Sequence, residues 1–195
     1  MKFRKFMSLF LVLLTVMLLS SCGQTQGASY PAVVKGVTVE SQPTSVVSLS
    51  PAITNAIFEL NLADRLAGIS DFCPALAGMD NLPKLGTAQN PNIDGIIAAA
   101  PKIVLTSSSM SKKNITALSD KGIKTIVIPS ISTLKDLSGY YQDIAVCLLG
   151  NADGTARSAN TYGNLLQRID YLKKIIGDAP AKTYLFAETL SGNVA

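Results

Sequence analysis

The sequence predicts an α/β fold: a doubly wound parallel sheet followed by a long helix. Three observations predict it. Short β-branched runs alternate with helix-period segments between Ser45 and Pro129. The helical segments between them carry start or stop residues of their own. Two long helical patterns then close the series. Strands that alternate with helices imply a parallel sheet covered on both faces.

The elements follow in order. Residues 1–21 carry Lys2, Arg4 and Lys5 and no acidic residue, then an apolar run from Phe6 to Leu19. That run is shorter than the roughly 20 residues a bilayer span needs. A basic start, a short apolar middle and a small-residue exit describe an export signal. "GQTQGAS" (23–29) is small and polar, so residues 22–29 read as a flexible tether. "YPAVVKGVTVES" predicts two short strands turning near Lys35-Gly36, as an edge hairpin. "SVVSL" (45–49) is a buried strand. Ser50 is placed as the N-cap of the next helix, with Pro51 in its first position. Ile53, Ile57 and Leu60 share one face of that helix. "RLAGIS" is a strand, and "NPNIDGIIAAAP" is a short helix. "KIVLT" is a strand, and "SKKNITALSDKG" is a helix closed by Gly122. "KTIVIP" is a strand.

"STLKDLSGYYQDIAVCLLG" is a helix with Thr133 and Asp136 spaced as a capping box. Residues 30–150 thus form one α/β lobe. Leu165, Ile169, Leu172 and Ile176 continue a helical stripe, which places a second long helix from about Gly154 to Ile176 within the segment 151–179. Its length, about 35 Å at 1.5 Å per residue, suits a strut across a domain. Beyond Pro180, "KTYLFAE" (182–188) begins another strand.

Composition narrows the function. The formal charge is +4 over 195 residues. Removal of residues 1–21 lowers it to +1, because three basic and no acidic residues leave with them. No basic stripe argues for a nucleic-acid partner. There is no histidine, which removes the commonest general base and the commonest metal ligand. A Gly-rich phosphate loop, G-x-S-x-G and Cys-x-x-Cys are all missing. Enzyme activity is not expected, and no resident cofactor or metal site is called for. Cys73 and Cys147 are too few for a disulfide framework, and Cys147 reads as a small buried hydrophobe.

Two resemblances sharpen this reading. Leu19-Ser20-Ser21-Cys22 resembles the bacterial lipobox, which implies cleavage before Cys22 and a lipid anchor on its thiol. "SVVSLSPAITNAIFELNLADRLAGIS", "LPKLGTAQNPNIDGIIAAAPKIVLT", "LSDKGIKTIVIPS" and the long helix resemble the substrate-binding proteins of ATP-driven importers for cobalamin, ferric siderophores and haem. The resemblance runs from about Tyr30 to the end. It implies a clamshell of two Rossmann-like parallel-sheet lobes joined by a linker helix, with the ligand between them at the strand ends. It also implies an ABC permease as partner and a lipid-anchored place on the extracytoplasmic face of the cell membrane.

Carried onto this chain, the ligand-binding positions are Ser50, Pro51, Asp71, Phe72, Gly86, Thr87, Gln89, Asn90, Thr106, Ser107, Ser108 and Ser130, with Ser109 beside them. These loops are rich in hydroxyls and amides, with one aromatic and one carboxylate. That suits a chelate that already saturates its metal better than a bare ion. The family often has a glutamate where Asn55 stands. Glu59, one turn on, is the substitute for permease docking. Nearly all of the second lobe is expected to be missing, residues 180–195 being only its start. The alternative is a one-lobed surface lipoprotein that acts as an adhesion or scaffold module.

Overall fold

A computed structural model describes residues 30–74 and 81–177. Cys22, the export signal, the tether and the strand expected at 182–188 lie outside the described residues.

The strands are β1 (Ala32–Val34), β2 (Val37–Val39), β3 (Val46–Ser48), β4 (Leu66–Ile69), β5 (Ile103–Thr106) and β6 (Lys124–Val127). The helices are α1 (Pro51–Glu59), α2 (Ile93–Ala99), α3 (Lys112–Ser119), α4 (Leu134–Leu149) and α5 (Asn151–Ile176). Four strands form a parallel sheet in the order β4-β3-β5-β6. The chain leaves β3 toward one side, then returns past it to β5. That reversal makes β3 the topological switch, the place where open α/β sheets bind ligands.

Alternation along the strands splits the apolar residues between two cores. Val46, Ile103, Leu105 and Ile126 face α1 and α4, where they meet Ile53, Ile57, Ile144 and Leu148. Val47, Leu49 and Val104 face α2 and α3, where they meet Ile96 and Leu118. Both faces are therefore covered, which a parallel sheet requires.

The hairpin β1–β2 turns at Lys35 and Gly36, both with positive φ, as a tight two-residue turn demands. It corrects one expectation. The hairpin is a separate two-stranded sheet and not an edge of the main one. Its contacts are to helix and to a side chain. Lys35 pairs with Asp143 of α4 at 2.7 Å, and Lys124 of β6 donates to the Thr38 carbonyl.

The helix ends obey local chemistry. Asn92, Ser111 and Thr133 accept from backbone N–H groups at the starts of α2, α3 and α4. Gly122, with φ +72°, turns the chain after α3. Ser50 sits at the N-cap position of α1 without a side-chain cap bond. Its carbonyl instead accepts from the Thr54 N–H at 3.0 Å.

Helix α4 and helix α5 form an antiparallel pair about Gly150. Gly154 lies so close to α4 that a Cβ would stand 2.5 Å from Val146 Cα. At the far end, the Tyr162 hydroxyl donates to the Leu134 carbonyl at 3.4 Å. The second long helix starts three residues earlier than the stripe predicted, at Asn151.

Candidate functional site

The carboxyl ends of β3, β4, β5 and β6 lead into the loops that hold the expected site residues. Their order in the sheet brings the β3, β4 and β5 loops together.

After β4, Ile69-Ser70 turns sharply through Asp71 and Phe72. The Cys73 N–H donates to the Ser70 carbonyl at 3.0 Å. The Phe72 ring is 76% exposed at the head of this turn. Asp71 joins it to the next loop. Its N–H donates to the Gly86 carbonyl at 3.0 Å, and its carboxylate accepts from the Gly86 N–H at 2.9 Å. Gly86 has φ +85°, and a Cβ there would lie 2.3 Å from the Asn90 carbonyl oxygen. Only glycine satisfies both conditions.

The loop Thr87–Asn90 stands on that corner. The Asn90 N–H donates to the Thr87 hydroxyl at 3.1 Å. The exposed Gln89 amide reaches across to donate to Ser108 Oγ at 3.0 Å, which links it to the loop after β5. There Thr106 is fully buried. Its hydroxyl donates to the Ser108 carbonyl at 2.9 Å.

The expected residues therefore separate. Phe72, Gln89 and Asn90 are exposed, and Thr87, Ser107 and Ser108 are half-buried; together they make up a crest at the strand ends. Asp71 and Gly86 hold the crest's shape and have spent their polar groups on each other. Thr106 and Ser50 are buried, so their side chains lie below the surface that a ligand would meet. Pro51 is partly covered at the start of α1.

Ser130, after β6, stands apart from the crest. It borders two concavities against α4. One, of about 510 Å³, is lined by Lys35, Ser132, Lys135 and Tyr140 among others. The other, of about 320 Å³, lies between α1 and α4 and takes in Asn55, Glu59 and Tyr141. The Tyr140 hydroxyl is buried without a partner. Burial, with Tyr141 beside it, raises its pKa well above the usual phenol value.

Sequence reading missed Lys84, Cys73 and Thr54. The Lys84 ammonium donates to the Cys73 carbonyl at 2.6 Å. The Cys73 thiol donates to the Thr54 hydroxyl at 3.3 Å. No local pattern announces either contact, because both form across separate segments. Among the described residues, no group of three or more Asp, Glu or Cys is placed to hold a metal ion. No described helix is long and apolar enough to cross a membrane.

A parallel sheet with its switch point at β3, and strand-end loops rich in hydroxyls and amides, defines a doubly wound α/β lobe. The comparisons agree with that class. Residues 46–191 match the family model described as periplasmic binding protein, and the chain belongs to that family. It is 28% identical over 127 residues to an uncharacterized ABC transporter substrate-binding lipoprotein of Bacillus subtilis, YvrC, covering 64% of this chain and 38% of that one. It is 24% identical over 146 residues to a cobalamin-binding protein of Halobacterium salinarum, covering 73% and 38%. In fold it resembles the periplasmic haem-binding protein HutB of Vibrio cholerae, with a TM-score of 0.59, 22% identity, and 70% and 52% of the two chains covered. The aligned stretch is thus well under half of the curated relatives' length. These relatives are substrate-binding proteins and not enzymes.

Proposed function

We propose that this chain supplies one wall of an extracytoplasmic receptor that captures a metal chelate for an ABC import permease. The chelate class is ferric siderophore, haem or cobalamin. The observation that carries the reading is the crest at the strand ends. It offers one exposed aromatic ring and several neutral hydrogen-bonding groups, without a cluster of metal-ligating side chains. Such a surface suits a large cargo whose metal is already coordinated. The names of the relatives support the same class.

In this reading Phe72 covers an apolar face of the cargo. Thr87, Gln89, Asn90, Ser107 and Ser108 bond to its periphery, with Ser130 at the margin. Asn55 and Glu59, both exposed on α1, meet the permease. Residues 1–21 are the export signal, Cys22 bears lipid, and 22–29 form the tether. Residues 30–150 are the binding lobe, 151–179 the linker helix, and 180–195 lead into a further lobe.

Calorimetric titration of the chain with haem, cobalamin, ferric siderophores and bare zinc tests this. Binding to at least one chelate and none to bare zinc is expected. Phe72→Ala should weaken the bound chelate about tenfold or more, since covering a phenyl ring contributes roughly 1.5–3 kcal/mol. Tight binding of bare zinc alone would overturn the reading.

A further inference from the structure

The Phe72 turn is anchored far more firmly than a surface turn requires. Asp71 exchanges two hydrogen bonds with Gly86, at 3.0 and 2.9 Å. The Cys73 thiol donates to the buried Thr54 hydroxyl, which itself donates to Ser48 Oγ at 2.8 Å. The Lys84 ammonium adds a third attachment. It donates to the Cys73 carbonyl at 2.6 Å and reaches the Ser70 carbonyl at 3.5 Å. Lys84 also lies on the segment that runs beside β4, where Ile69 and Lys84 form a parallel bridge. One cation thus spans the turn that carries Phe72 and the segment that leads into Gly86–Asn90.

We infer that Lys84 is a positioning residue: it fastens the Phe72 turn to the 84–90 loop, so that ring and hydrogen-bonding groups are presented as one rigid unit. Charged donors make the stronger hydrogen bonds to carbonyls. A binding surface held in its bound shape loses little freedom when the ligand arrives. The inference deepens the chelate-binding reading and rests on it for the identity of the ligand. The latch itself can be read without any ligand.

The test uses the full chain in detergent and the variants Lys84→Met, Lys84→Arg, Phe72→Ala and Lys84→Met/Phe72→Ala. Hydrogen exchange without ligand is read at the amides of Asp71, Phe72, Cys73 and Gly86, with Leu49 and Ile128 as controls on the sheet. Lys84→Met should speed exchange at the first four about tenfold, leave the controls unchanged, and be rescued by Lys84→Arg. Unchanged exchange at the four amides would overturn the latch. Titration with haem, cobalamin and a ferric siderophore gives the second reading. Lys84→Met should weaken whichever chelate binds, by about five- to tenfold, and should cost distinctly less once Phe72 is alanine. Equal losses in both backgrounds would overturn the positioning role. If the parent chain binds none of the three, the chelate reading fails, and the exchange data alone decide the latch.

Discussion

Cys147 is a thiol enclosed by the α1–α4 core, and burial pushes its pKa up to about 12. The Tyr30 hydroxyl donates to the Cys147 carbonyl at 3.1 Å. Burial first, and Cys147 second, raise its pKa to about 12 as well. Both groups hold their protons more tightly in the folded chain than in the unfolded one. Their contribution to stability is therefore complete below their ordinary values of 9.0 and 10.0 and is lost as pH climbs toward about 12. The urea midpoint should fall steadily between those limits, and Tyr30→Phe should flatten part of the fall. A midpoint independent of pH would contradict the burial of these groups. The opposite kind of residue is Ala100, whose left-handed φ of +46° closes α2. The strain is local, and its carbonyl is used by Ser45.

Among the elements, the α4–α5 pair is the most demanding. Gly154 admits no Cβ without moving the Val146 backbone. Gly154→Ala should cost about 1–3 kcal/mol of stability, the usual range for overpacking. Leu172→Ala should cost under about 0.5 kcal/mol, because Leu172 is exposed. Thermal melts of the two variants compare them directly, and equal shifts would refute this account of the pair. The helices and strands of the lobe were legible in the sequence because their period and their start and stop residues are local. Thr133 with Asp136 marks its helix, and the bond from the Asp136 N–H to the Thr133 hydroxyl is there. The apolar stripe alone starts α5 about three residues late, because Asn151 lacks a conventional signal; the preceding helix and Gly150 make that corner. The hairpin was given the wrong neighbour because period two says which face is apolar and not which strand lies alongside. The site was legible by position and only partly by role. Loops after parallel strands are found by counting. That Thr106 is sealed, or that Asp71 is occupied by Gly86, depends on contacts between segments far apart in sequence.

Over the whole molecule, the sheet separates two cores from one working edge. Everything proposed to meet cargo hangs from strand ends, while the cores are built from strand middles and helix faces. The proposed placement at the membrane rests on Cys22. Cys22→Ala should release the chain to the soluble fraction or block its processing, as fractionation and mass measurement would show. Normal cleavage with unchanged retention would contradict the anchor. The long helix carries a further consequence. Its first half is held against α4, and Arg157 donates to the Leu60 carbonyl at 3.0 Å. Its last turns stand clear, with Tyr171 and Ile176 at 65% and 62% exposure. Helix α4 has 16 residues and α5 has 26, so about ten residues, or roughly 15 Å, project beyond their partner. In mechanical terms this is a beam clamped at one end. The deflection of such a beam grows as the cube of its free length, and a short projection is stiff. The heading on which the chain leaves at Gly177 is therefore decided about 35 Å away, where a glycine lets two backbones touch. A methyl group added at that clamp would swing the far end more than any change made at the tip.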